Sequence, residues 1–210
     1  MVPSKKQGKT QSHSRKRNKT GIRSTDLQSS VKESIEYKVA LYLNDALAFE
    51  NAVLERLQLR VTHTTLQGAK TQLQNHLRET TGQQDRLKQL ISSLGGTPTK
   101  GNAQLPVLST SESTMGLLKK DMNDVELELN ETKEDAIIVY AEIALYDTLR
   151  QIIEKAKIDS VVRVLTQNIN EEASMAYQLK VKTADLIGKL WASIDSTSTR
   201  TVSEAGPLAR

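Results

Sequence analysis

The stretch 136-AIIVYAEIALYDTLRQII-153 has the spacing of an amphipathic helix, with a carboxylate in the middle of its apolar stripe. Alternating steps of three and four residues predict one buried face, made of Ile138, Glu142, Leu145, Leu149 and Ile152. Such a stripe is typical of a helix that packs in the core of a bundle. Glu142 therefore occupies a position where the neighbouring turns carry Ile or Leu.

Three other segments have the same period, and together they predict four long helices. We expect the helices at about residues 31–60, 66–95, 130–157 and 159–194. The stripes of the other three helices are Val39, Leu43, Ala46, Glu50, Val53 and Leu57; then Leu66, Ala69, Leu73, His76, Thr80, Gln83, Leu87 and Leu90; and finally Leu165, Ile169, Glu172, Ala176, Leu179 and Leu186.

The spacing of turn signals predicts two helical hairpins joined by one longer link. Gly95 and Gly96 end the second helix, and residues 97–111 form the link, with a short amphipathic helix at about 113–129. We expect Asn130, Thr132 and Asp135 to cap the third helix, and Trp191 and Ile194 to anchor the fourth. The predicted fold is an all-α antiparallel four-helix bundle with a long crossover connection.

Composition excludes several classes of protein. The chain has no cysteine, which excludes disulfides and thiolate chemistry and is compatible with a reducing cytoplasm. No run of 18 apolar residues predicts a membrane span. A Gly-rich phosphate loop and a nucleophile elbow are also missing, so a conventional hydrolase or transferase has the least support.

The charge is divided between a basic arm and an acidic body. Residues 1–25 contain eight cations and no acid, and subtracting these from the net charge of +4 leaves about −4 on the rest. We expect residues 1–30 to be disordered, residues 31–194 to form the bundle and residues 195–210 to be a flexible tail. The cations, which are candidates for polyanion binding, are Lys5, Lys6, Lys9, Arg15, Lys16, Arg17, Lys19 and Arg23.

Each predicted helix places an acid or an imidazole at or beside a core position. Glu50 interrupts the first stripe, His76 the second with Glu79 on its flank, and the others carry Glu142 and Glu172. A single Glu at such a position usually reaches water at the edge of a bundle. Four such positions, one on each helix, indicate a shared metal site as an alternative to that simpler interpretation, and both stay open at this point.

Converging carboxylates repel one another, so they need shared protons or bound cations. Oxygen donors with one imidazole suit iron or manganese and can also bind zinc. Tyr146, one turn from Glu142, is a candidate auxiliary group that orders the site or supplies an electron. A dinuclear carboxylate site in a helical bundle has this form.

Four segments carry a resemblance to a known family. LNDALAFENAVLERL, NHLRETTGQQDRLKQLI, AEIALYDTL and NINEEASM resemble the YciE/YciF-like ferritin-like stress proteins, over about residues 38–190. The resemblance implies a ferritin-like bundle, often a homodimer, related to rubrerythrin-type di-iron proteins. Its candidate metal ligands are Glu50, His76, Glu79, Glu142 and Glu172.

The chain departs from the ferritin-like pattern of Glu-x-x-His on two helices. Glu79 is followed at that spacing by Gly82, and Glu172 by Met175. A single metal ion or a vestigial site therefore stays open beside a dinuclear one.

Two functional hypotheses follow from the sequence. The first is a cytoplasmic stress protein that binds iron or manganese and oxidises the metal with peroxide or oxygen. The second is a non-enzymatic scaffold whose arm binds DNA or another polyanion. Aromatic side chains are not interleaved in the arm, so base stacking is not predicted.

Overall fold

The computed structural model describes the backbone of residues 24–106 and 122–204, and the side chains of residues 32–106 and 122–194. These residues form four α-helices and no strand, so the predicted all-α four-helix bundle is confirmed. The helices are α1 (Ser24–His63), α2 (Gln67–Ser93), α3 (Asp124–Ala156) and α4 (Asp159–Glu204). None of these described helices is apolar enough over a sufficient length to cross a bilayer.

The helices pack as two hairpins, α1 with α2 and α3 with α4. Gly95, at the end of α2, adopts a φ of 76°, and this left-handed conformation favours glycine. The following Gly96 lies so close to α1 that an added Cβ would be 2.8 Å from the Cβ of Ala40. The predicted Gly-Gly stop is therefore required both by the backbone turn and by the close approach of two helices.

The described part of the link between the hairpins lies along α1. The side chain of Asn44 donates to the carbonyl of Thr97 at 3.1 Å. At the opposite end of the bundle, Thr65 donates to the carboxylate of Asp124 at 3.1 Å. The link therefore begins near one end of the bundle and finishes near the other, while residues 107–121 lie outside the described residues.

The start of α3 differs from the prediction. The Asn123 side chain accepts hydrogen bonds from the backbone of Val125 and Glu126, and Glu126 bonds back to Asn123, forming a capping box. The predicted caps Asn130, Thr132 and Asp135 instead lie inside α3 and are buried. The part of the predicted 113–129 helix from Asp124 onward belongs to α3, and its part up to residue 121 lies outside the described residues.

The predicted anchors at the end of α4 are also wrong. Trp191 is 60% exposed and Ile194 is 43% exposed. The last buried side chain on the described part of α4 is Leu186, which lies close to the first turn of α2. α4 continues beyond that level, so its later apolar residues have no described helix of the same bundle to pack against.

Charged side chains fill the core where α3 begins. Arg60, 6% exposed, donates to Glu128 at 2.8 Å, and its Nε and Nη2 both donate to Oδ2 of Asp135 at 3.1 Å. Lys182 of α4 also donates to Glu128, at 2.7 Å. Burial alone would raise the pKa of Glu128, but the bonds from Arg60 and Lys182 lower it to about 2. Fixed cations therefore neutralise the acids at this end of the bundle.

We expect Arg60→Ala to lower the free energy of unfolding by about 1.5–3 kcal/mol, because it removes buried charged hydrogen bonds to Glu128 and Asp135, which keep only Lys182 and Arg56 as cationic partners. The control is Lys88→Ala, which removes an exposed pair with Asp85 and should cost no more than about 1 kcal/mol. Urea unfolding of both variants measures the difference. Equal losses would contradict a structural role for the buried network.

Candidate metal centre

A layer of buried polar side chains crosses the middle of the bundle. Apolar clusters that include Leu47 and Leu87 lie on one side of it, and clusters that include Val53 and Leu73 lie on the other. We call it the polar layer, and its members, all at most 3% exposed, are Glu50 from α1; His76, Thr80 and Gln83 from α2; Glu142 and Tyr146 from α3; and Asn168 and Glu172 from α4.

Three of the predicted ligands meet at one point in this layer. His76, Glu142 and Glu172 each offer a donor atom, and these atoms all lie within 4.8 Å of one another. Nε2 of His76 is 3.6 Å from Oε2 of Glu172. The three residues come from three different helices, so the geometry depends on the tertiary fold and forms a buried group able to hold a metal ion.

The structure places Glu50 beside this group, in contact with Tyr146. The Tyr146 hydroxyl donates to Oε1 of Glu50. Burial raises the pKa of Tyr146 well above its usual value, and the neighbouring carboxylate of Glu50 raises it further. Tyr146 is therefore a neutral hydrogen-bond donor at physiological pH, and it fixes the orientation of one carboxylate in the layer.

The structure does not bring Glu79 into the buried group. Its side chain is exposed and lines a surface cleft of about 430 Å³ between α2 and α4, together with Glu171. The pKa of Glu79 is raised by partial burial and by the charges of Glu172 and Glu171, although His76 opposes this. The charge of Glu79 thus interacts with His76 and Glu172 of the layer, although its side chain lies on the solvent side.

Sequence reasoning missed Gln83 as a member of the site. Its amide donates to Oε1 of Glu172 at 2.6 Å and to Oε2 of Glu171 at 3.2 Å. Gln83 was part of the predicted stripe, but an amide there gave no signal of a metal centre. Asn168, one turn before Glu172, was missed in the same way and accepts a hydrogen bond from Arg86 at 2.9 Å.

The polar layer holds many hydrogen-bonding atoms that have no partner. Buried polar groups in proteins are nearly always hydrogen-bonded, so each exception needs an explanation. Both oxygens of Glu142 lack a hydrogen-bond partner, as do Nε2 of His76 and Oε2 of Glu172. The donor set therefore fits a hard divalent cation, because these are the atoms that would coordinate it.

The carboxyl groups in the layer resist ionisation without a cation. Burial raises the pKa of Glu50 to about 8, and the charge of Glu172 adds to this, although Tyr146 and Arg86 oppose it. Burial also raises the pKa of Glu142 well above its usual value, with the charges of Glu172 and Glu50 as further causes. A bound cation would favour the ionised forms, so metal affinity is expected to rise with pH.

With metal removed by a chelator, we expect the native protein to lose stability between pH 5 and pH 8 relative to Glu50→Gln. The folded state keeps the proton of Glu50 up to about pH 8, whereas the unfolded chain loses it near the usual value of 4.5. The contribution of Glu50 to stability is therefore greatest at low pH, and at about 1.4 kcal/mol per pKa unit its loss relative to the variant is roughly 3–5 kcal/mol.

Urea unfolding across this pH range measures the effect, with Glu154→Gln as the control because Glu154 is exposed on the same bundle. The Glu154→Gln profile should follow the native one. Parallel profiles for native protein and Glu50→Gln would contradict a raised pKa in the layer.

These features define a class: an all-α four-helix bundle with a buried imidazole–carboxylate group suited to a metal ion. The chain belongs to the family described as "Domain of unknown function (DUF892)", which matches residues 36–189. The fold is similar to that in the crystal structure of a conserved hypothetical protein, Rv2844, from Mycobacterium tuberculosis. The TM-score is 0.53 at 17% identity, over 72% of this chain and 93% of that one. No curated protein sequence matched the chain.

Proposed function

We propose that this protein is a ferritin-like stress protein that binds iron or manganese through its core carboxylates. The observation that carries the proposal is the group formed by His76, Glu142 and Glu172, whose donor atoms converge while several lack hydrogen-bond partners. Two carboxylates and one imidazole suit these metals, whereas a thiolate site is excluded by the absence of cysteine. The stress role rests on the resemblance to the YciE/YciF-like proteins.

A bound iron or manganese ion would supply electrons for the reduction of peroxide or oxygen. The chain's own contribution is to hold His76, Glu142 and Glu172 at one level and to keep bulk water out with the apolar clusters on both sides. Tyr146 orients Glu50, and Gln83 orients Glu172. We propose that Glu50 completes the coordination of this ion, and that Glu79 is the ligand which a cation first meets in the surface cleft through which it would enter.

We expect the untagged native chain to bind Mn²⁺ with a rise in melting temperature, and the double variant Glu142→Ala, Glu172→Ala to lose both effects. A metal present at a hundred times its dissociation constant adds about 2.7 kcal/mol to stability, provided that it binds only the folded state. Metal analysis after dialysis and differential scanning calorimetry make the two measurements.

The matched control removes two exposed acids from the same helices, Glu154→Ala with Asp185→Ala. Both side chains form surface ion pairs and lie outside the polar layer. This variant should bind metal as the native chain does. A native chain that binds no stoichiometric metal would refute the proposed function.

We further propose that the basic arm binds DNA or another polyanion, a function that does not require the metal centre. The support is its eight cations without an acid in residues 1–25. The eight residues lie outside the described part of the structure. We also propose a homodimer, supported by exposed apolar side chains on α4, among them Tyr177, Val181 and Trp191. We propose a cytoplasmic location, with which the absence of cysteine is compatible.

Deleting residues 2–23 should abolish binding to duplex DNA and leave metal binding unchanged, because α1 begins at Ser24. For the full chain, the logarithm of the binding constant should fall by about 0.9 per phosphate contact for each tenfold rise in salt. Fluorescence anisotropy with labelled DNA measures both effects. Binding that survives the deletion, or that does not respond to salt, would contradict a role for the arm.

A further inference from the structure

The contact between Gln83 and Glu172 fixes which residues of α2 and α4 face each other. Dinuclear carboxylate centres in bundles use one Glu from each of two helices and Glu-x-x-His from each of the other two. Here α1 supplies Glu50 and α3 supplies Glu142. At the level of the 2.6 Å contact between Gln83 and Glu172, the two Glu-x-x-His positions are occupied by other pairs of residues. They hold Gln83 with Arg86 on α2, and Glu172 with Met175 on α4.

The place of one expected histidine is therefore taken by an arginine. Arg86 is partly buried, and its Nε donates to Oδ1 of Asn168 at 2.9 Å. Its Nη2 is bonded to Glu171. The guanidinium also acts electrostatically on Glu50, which extends into the layer from α1. A guanidinium keeps its charge at every physiological pH, so a permanent cation lies at the edge of the layer.

The polar layer has two halves, one helical turn apart. One half contains His76, Glu142 and Glu172, the group whose donor atoms converge. The other half contains the Glu50–Tyr146 hydrogen bond and the Arg86–Asn168 hydrogen bond. On α3 and on α4 the two halves are separated by four residues, which is about 6 Å along a helix. The second half is thus the neighbouring position, where another metal ion would lie.

The position beside Arg86 is unfavourable for a metal ion. Arg86 already supplies a positive charge there and is bonded to Glu171 and Asn168. A divalent ion in the second half of the layer would lie beside this guanidinium, and two cations in a partly buried region repel each other.

We infer that the guanidinium of Arg86 takes the place of a second metal ion, so that the centre binds one divalent cation per chain, at His76, Glu142 and Glu172. This inference rests on the proposed metal-binding function and specifies it further. Arg86 is a positioning residue, because it acts on the centre through Asn168, Glu171 and Glu50 rather than as a ligand.

The test is the number of Mn²⁺ ions bound by the untagged full chain after chelation and dialysis. Elemental analysis gives the stoichiometry, and electron paramagnetic resonance separates an isolated Mn²⁺ ion from two that are spin-coupled. The native chain should bind one isolated ion. Arg86→Gln, which removes the charge but keeps a long polar side chain, should bind two coupled ions.

Two controls separate charge from other effects of substitution. Arg86→Lys keeps the positive charge and should bind one ion. Arg78→Gln changes an exposed arginine on the same helix, which donates to Asn75, and should also bind one ion. Circular dichroism melting establishes that each variant is folded.

Two coupled ions in the native chain would overturn the inference and leave the proposed function intact. A folded Arg86→Gln that still binds one ion, or gains only an uncoupled surface ion, would also overturn it. No ion in the native chain would refute the proposed function itself. If Arg86→Gln does not fold, the native spectrum decides between one ion and two.

Discussion

The central constraint on this bundle is the cost of burying carboxylates between two apolar clusters. An isolated buried carboxylate costs several kcal/mol even after the surroundings relax. The chain meets this cost differently at two levels. Near the start of α3, the cations of Arg60 and Lys182 bond directly to Glu128. At the edge of the polar layer, the described fixed cation is Arg86, and it bonds to Glu171 and Asn168 rather than to Glu142.

This difference connects the fold to its chemistry. A network neutralised by its own side chains has no need of a ligand, and the pKa of Glu128 is accordingly held at about 2. The polar layer instead lacks positive charge, and burial raises the pKa of Glu50 to about 8. The apolar side chains on both sides keep the layer from relaxing into water. The fold thus keeps, in its centre, a buried group that could hold protons or a metal ion.

Helical periodicity predicted most of this architecture, because a helix that packs in a bundle buries one face, and that face repeats in the sequence every 3.6 residues. It placed Glu50, His76, Glu142 and Glu172 in the core, where the structure has them. It did not resolve the register on α2: Glu79 was favoured for its charge, although Gln83 is the residue that contacts Glu172.

Errors at the helix ends have a similar physical cause. A polar residue that caps a helix and a polar residue that belongs to a buried network look alike in sequence. Thr132 and Asp135 were therefore predicted as caps, although the fold supplies Asp135 with the guanidinium of Arg60 from α1. Likewise, Ile152 was predicted in the stripe, but Ile153 is buried and Ile152 is 41% exposed, because one residue rotates a helical position by about 100°.

Protons alone satisfy this centre less completely than a cation does. One shared proton can join Glu142 to Glu172 and so removes the repulsion between them. It leaves a second oxygen of Glu142 and Nε2 of His76 without hydrogen-bond partners, and these are buried atoms. A divalent ion accepts lone pairs from an imidazole and two carboxylates at once, so it offsets the charge and the missing hydrogen bonds together. The need to offset both the buried negative charge and the missing hydrogen bonds, more than the acidity of the layer, is what favours a metal ion.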